Sequence, residues 1–224
     1  MKKILLLAFV LCNLATSAQV QQKVSSSDIY RTNQMNAKEA PTLTGTPYLD
    51  PQYTLAEVDG VSDLVLVKYN AQHDHFDIDS GDGKIYTLPK NADMGSVKYK
   101  NGRYHFIFGN YTTSKGVTES GYLMQLLNTN GVSLLKKQRI ILIPAKTGAS
   151  SYQQDTPAKL AKANEEFYLK TKDGQIVSYP SNKKKLIDLF PQHKGSIESF
   201  IKDNKISFNE EKDLLSLTLH LSAL

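Results

Sequence analysis

The chain has 224 residues, with 27 Lys+Arg against 22 Asp+Glu, one cysteine, no tryptophan and 12 tyrosines. A mild excess of lysine, without a concentrated arginine-bearing face, argues against nucleic acid as a partner. A single cysteine rules out an intramolecular disulfide framework, so the fold must rest on its core.

The first 18 residues, MKKILLLAFVLCNLATSA, have three parts: basic Lys2 and Lys3, an apolar run from Ile4 to Leu11, and small residues at Thr16-Ser17-Ala18. This layout predicts a secretory signal peptide at 1–18, cut after Ala18. The apolar run is far shorter than the roughly 20 residues a helix needs to cross a bilayer. Cys12 follows bulky Leu11, which disfavours lipid attachment there. The mature chain then has 224 − 18 = 206 residues, no cysteine, no transmembrane segment and a formal charge of 25 − 22 = +3. The expected destination is the periplasm, with an extracellular or outer-membrane-associated position as the alternative.

Residues 19–45 are polar and lack periodicity, which predicts a flexible lead-in. Residues 46–180 predict an antiparallel β domain. Pro47 and Pro51 hold its first segment extended. LVLVKY (64–69) is nearly continuous in apolar character and predicts a buried strand. DHFDI (74–78) alternates, with Phe76 and Ile78 on one face, KIYTL (84–88) alternates as well, and Pro89 ends the second run. Asn101-Gly102 predicts a type I′ hairpin turn, with Val97 and Tyr99 before it and Tyr104, Phe106 and Phe108 after it. Asn130-Gly131 and Asp173-Gly174 predict two more turns. HFDIDSGDGKIYTLP and EFYLKTKDGQIVSYP share one design, attributed to convergent turn chemistry rather than duplication. Thr156-Pro157 opens either a helix or a crossing loop.

The period changes again over 181–224. Leu186, Ile187, Leu189 and Phe190 precede Pro191. Ser196 is a candidate cap for Ile197, Phe200 and Ile201, with Asn204 as terminator. Ser207 and Glu210 form a capping-box signal before Leu214, Leu217 and Leu221. Strands first and helices last predict an α+β fold, mainly antiparallel β. It is a meander of hairpins in an open or partly closed sheet, with short C-terminal helices packed on the same domain.

Chemistry is sparse. HDHFDIDSGDG (73–83) puts His73, His75, Asp77 and Asp79 on one face of a strand, and these are suitable ligand types for zinc. The opposing expectation is a solvated outer face, with Phe76 and Ile78 turned inward. The spacing does not suit an EF-hand: counting from Asp77, the required glycine position holds Asp82 and the closing glutamate position holds Leu88. Ser181 with Lys184 matches S-x-x-K in isolation and is expected to be a helix cap beside solvated charge. His105, His193 and His220 have no serine or acidic partner by spacing. Phosphate and dinucleotide loops are absent. Lys136-Lys137-Gln138-Arg139 and Lys183-Lys184-Lys185 are expected to be solvated faces, or else contacts for anionic headgroups or glycans.

GTPYLDPQY, VKYNAQHDHFDI with GKIYTLPK, GVSLLKK, SYQQDTPAKL and IESFIKDNKISFNEEKDLLSL follow one another in an order that resembles a family of secreted and periplasmic Bacteroidota proteins of flavobacterial type. That family has no established activity. The resemblance covers most of the mature chain and implies compartment and lineage, but no catalytic pattern, catalytic residue or cofactor. Its members need not keep the histidines of the acidic hairpin, which weighs against metal.

The leading expectation is an exported cell-envelope protein with a non-enzymatic binding or structural role. Its partner would be an envelope protein, a glycan or an apolar ligand. One alternative is a periplasmic carrier of a lipid or other apolar ligand, with Tyr104, Phe106 and Phe108 lining a half-barrel. Another is a zinc-dependent hydrolase centred on His73 and His75.

Overall fold

Period-two alternation yields strands β1 (Thr54–Val58), β2 (Val65–Asn70), β3 (His75–Asp79), β4 (Ile85–Thr87), β5 (Ser96–Tyr99) and β6 (His105–Thr112). They are followed by β7 (Thr118–Thr129), β8 (Val132–Lys137), β9 (Ile140–Ile143), β10 (Lys159–Lys162), β11 (Glu166–Lys170) and β12 (Ile176–Ser178). The computed structural model describes residues 43–146 and 156–224. The expected signal peptide, Cys12 and the lead-in up to residue 42 lie outside them.

Ten strands form one sheet in the order β12-β11-β8-β7-β6-β5-β1-β2-β3-β4, and β9 pairs with β10 separately. All pairings between neighbours in the large sheet are antiparallel; a single parallel contact, Val177 against Thr112, brings β12 back to β6. Five strands therefore close into a small ring while the other half stays open. Three helices follow: α1 (Lys183–Leu189), α2 (Lys194–Asp203) and α3 (Glu211–Ser222). This is the expected mainly antiparallel α+β architecture, with short C-terminal helices on a partly closed sheet.

The open half buries an aromatic core. Tyr69 and Phe106 lie 4.6 Å apart between ring centroids, and Phe76 meets Tyr122 edge-on at 4.9 Å. Burying a large apolar side chain stabilises by roughly 1.5–3 kcal/mol, so this cluster dominates that half. The ring has its own core, with one fully or nearly buried residue from each strand: Tyr111, Leu123, Leu135, Tyr168 and Ile176. The outer face of β8 and β11 carries Val132, Leu134 and Leu169 against Leu186, Ile197, Leu214 and Leu217 of the helices. β7 serves both halves. It carries a bulge between Gln125 and Leu127, and Leu126 packs at the margins of the aromatic and helical cores.

Several local expectations are corrected. β2 is not buried on both faces: Val65, Val67 and Tyr69 point inward, whereas Leu64 and Leu66 are exposed. The turn at Asn101-Gly102 is not type I′, because only Gly102 has positive φ and the strands separate at Tyr99 and His105. Asn130 and Gly131, at φ 50° and 81°, do form the left-handed pair, directly between Thr129 and Val132. Thr156-Pro157 leads into a strand, not a helix.

The helix caps also shift. Asn182, not Ser181, caps α1 by accepting from Lys185 N–H at 3.0 Å. Ser196 lies inside α2, and its hydroxyl meets His220 Nε2 at 3.0 Å. Ser207 and Glu210 do not form a capping box; Asp213 instead accepts from Ser207 N–H at 2.8 Å. Asn204 does end α2, followed by Lys205 in the left-handed region and an Ile206 N–H bond to Ile201 O.

Candidate functional site

The acidic hairpin is covered where a solvated face was expected. Phe76 and Ile78 are fully buried in the core as anticipated, yet His75 and Asp77 on the other face are only 7% and 6% exposed. The cover is the extended segment 46–53. Beyond the start of β1, the edge of β2 away from β3 runs on without a strand, and residues 47–49 take that place. Leu49 N–H bonds to Tyr69 O and Ala71 N–H to Pro47 O. Tyr48 is thereby laid over β3 and donates its hydroxyl to Asp77 Oδ2 at 2.6 Å. His75 Nε2 meets Asp77 Oδ1 at 2.9 Å. Burial alone would raise the Asp77 carboxyl, but the bonds from His75 and Tyr48 outweigh it and hold it below the usual carboxylate range. Lys68 lies over the Tyr48 ring at 3.7 Å and the Tyr53 ring at 4.4 Å.

The four proposed metal ligands do not converge. The exposed His73 ring stacks beside His75 at 6.0 Å between centroids. Asp79 is engaged by the turn, accepting from Gly81 N–H at 2.8 Å. Gly81 and Gly83 have positive φ, the service expected of them. Among the described residues no group of three or more His, Cys, Asp or Glu has metal-holding geometry.

The first basic run is likewise a correction, since Lys136 and Lys137 are not on a solvated face. All six residues of β8 are buried, because the helices cover one face and the ring interior lies on the other. On the helical side, Lys136 pairs with Glu165 and with Glu211 at 2.8 Å. On the ring side, Lys137 is 2% exposed and bonds Asp74 Oδ1 at 2.7 Å and Tyr122 O at 2.9 Å. Burial pushes the Lys137 amine below the ordinary lysine value, against the opposing pull of Asp74. Asp74 sits at φ 57° in the β2–β3 turn and also accepts the Tyr69 hydroxyl at 2.6 Å. The turn of the open half is thus pinned to the ring. Gly121 makes room for this contact: a Cβ there would lie 2.7 Å from Lys137 Nζ and closer still to Asp74 Oδ2.

Arg139 completes the network. It meets Glu119 at 2.9 Å and Glu166 at 3.3 Å. Those carboxylates also accept the hydroxyls of Tyr111 and Tyr168, whose rings pack edge-on at 4.9 Å. Burial works against the charge on Arg139, but the two glutamates outweigh it and raise its pKa.

Sequence spacing missed two serine partners of histidine. Ser96 Oγ lies 3.0 Å from His105 Nε2, and Gln125 Nε2 lies 2.9 Å from His105 Nδ1. Hairpin register supplies the missing signal, since Lys98 opposes His105 and places Ser96 diagonally from it. With Gln125 donating to Nδ1, the imidazole proton sits on Nε2, which then donates to Ser96. That arrangement cannot deprotonate the serine. Burial, with a smaller contribution from Lys98, pushes this histidine below its ordinary value.

An open cleft lies where the ring meets the helices. One part, of about 500 Å³, is bordered by Ser114, Glu165, Glu166, Phe167, Tyr179 and Phe208. A second, of about 260 Å³, adds Thr112, Thr113 and Lys185. The two share Ser114, Ser178, Tyr179 and Ser181, so they run together. Ser181 accepts from Lys185 Nζ at 3.2 Å, and it is this lysine rather than Lys184 that it meets. Another groove, of about 370 Å³, is edged by Val132, Leu189, Phe190, Leu221 and Leu224. Tyr104, Phe106 and Phe108 line none of these; Phe106 is fully buried, with the other two packed against the same core.

Comparison with known protein families, curated proteins and solved structures finds no match to this chain.

Proposed function

We propose that this is an exported cell-envelope protein that binds a partner and does not transform it. The observation that carries the reading is a contrast in engagement. The groups best suited to chemistry are held by partners: His75 by Asp77, Lys137 by Asp74, and Arg139 by two glutamates. A separate cleft is open and lined by hydroxyls, aromatic side chains and the carboxylates of Glu165 and Glu166, groups that bind reversibly. The signal-peptide layout and the resemblance to secreted Bacteroidota proteins support the compartment. No helix among the described residues is long and apolar enough to cross a membrane.

A second reading is carriage of an apolar ligand. The groove edged by Leu189, Phe190, Leu221 and Leu224 favours it, rather than the filled core around Phe106.

The test is expression of the chain with its own leader, followed by fractionation and mass measurement. The chain is expected in the envelope fraction with the mass of 19–224. The purified protein is then incubated with envelope saccharide, peptide and lipid extracts. Retention of a component with unchanged mass is the expected result; its chemical conversion would overturn the binding reading.

A further inference from the structure

We infer that the cleft between the ring and the helices takes a saccharide segment, neutral or amine-bearing, and rejects anionic ones. This rests on the binding reading above and names its ligand class. Small-ligand sites usually occupy roughly 300–1,000 Å³, and the joined parts of about 500 and 260 Å³ suit a short oligosaccharide.

The lining matches such a ligand in three respects. Hydroxyls of Thr112, Thr113, Ser114, Ser178 and Ser181 follow the length of the cleft, and each can donate as well as accept. A sugar's hydroxyls have the same dual character, so paired bonds form whichever way each rotates. Phe167, Phe208 and Tyr179 add aromatic surface at the wider part. The apolar C–H face of a pyranose packs on the electron-rich face of such rings. A lipid chain would offer these hydroxyls no acceptor, at a cost for each one it buries.

Charge decides which saccharides enter. The cluster of ion pairs around Lys136 and Arg139, behind the wide end, holds four carboxylates, Glu119, Glu165, Glu166 and Glu211, against those two cations. Its net charge is 2 − 4 = −2, and Glu165 and Glu166 line the cleft itself. An anionic sugar meets repulsion there, whereas an amine is attracted. Lys185 is the single cation among the residues that line the narrow end, and Ser181 already holds its amine.

The test uses isothermal titration of the purified exported chain with three trimers at pH 7: glucosamine, glucose and galacturonic acid. The glucosamine trimer is expected to bind most tightly, the glucose trimer more weakly, and the galacturonic acid trimer not measurably. Ser114→Trp, on the exposed β6–β7 turn, should weaken glucosamine-trimer binding at least tenfold with an unchanged Tm. Glu165→Gln should bring that trimer's affinity down to that of the glucose trimer. Ile85→Ala, on β4 at the far edge of the sheet, should leave both affinities unchanged. Equal binding of the galacturonic acid trimer, full affinity in Ser114→Trp, or no binding of any trimer would overturn the saccharide assignment. The last result leaves the broader binding reading to the extract experiment, where a retained peptide or lipid would sustain it.

Discussion

Two basic runs of similar composition meet opposite fates. Lys136-Lys137-Gln138-Arg139 ends the central strand β8, where helices lie over one face and the ring core lies on the other. Each of its cations is paired with carboxylates. Lys183-Lys184-Lys185 begins α1 on the surface, and its only ion pair among the described residues is Lys183 with Glu198 at 3.7 Å. A strand turns successive side chains to opposite faces, so a run placed between two layers is buried on both. At a helix end, adjacent lysines fan into water. The meaning of a charge run therefore depends on what covers it.

Breaking the buried run should have the largest effect. Asp74→Ala strands the Lys137 charge and is expected to destabilise by about 3–5 kcal/mol. Urea denaturation measures it, and adding Lys137→Met to Asp74→Ala should recover most of the loss. Asp74→Ala matching wild-type stability would break the comparison. Gly121→Ala pushes the same two side chains apart without removing either, at an expected cost of about 1–3 kcal/mol. Its midpoint shift should fall between those of Asp74→Ala and wild type.

The pH dependence sharpens the contrast from another side. The folded-state pKa of His105 lies below its ordinary value, so the unfolded chain takes up a proton more readily. Stability should fall as pH drops from about 6.5 through the folded value, a decline that His105→Gln should flatten. Asp77 is also depressed and contributes stability above the ordinary aspartate range. That contribution is lost as pH falls below about 3.8 through its folded value, and Asp77→Asn should remove this acid limb. The smallest effects belong to the exposed run. Lys184→Ala should stay within about 0.5 kcal/mol of wild type, and Lys183→Ala should cost about 0–1 kcal/mol.

Much of the hairpin architecture was legible. Phe76 and Ile78 alternate and face the core, Asn130-Gly131 forms its tight turn, and the leucines of α3 form one buried stripe. The candidate sites were less so. The cover on His75 and Asp77 comes from Tyr48, 29 residues upstream of Asp77. The partners of Lys137 and Lys136 lie 63 and 75 residues away at Asp74 and Glu211. No local spacing rule reaches that far. The cleft was equally hidden, because Ser114, Ser178 and Phe208 sit in three separate elements or their connections.

By itself the sequence determined the strand period, the inward placing of alternating residues such as Phe76 and Ile78, the turns that need glycine, and the switch to helices near the end. These follow from backbone sterics and local burial, which act over a few residues. Only the tertiary structure decided that β12 returns to β6, that Asp74 pins the open half to the ring, and that His75, Asp77 and a lysine pair become interior. Closure and burial depend on which distant segment arrives to cover a face, and the free energy of a charge is set by that arrival.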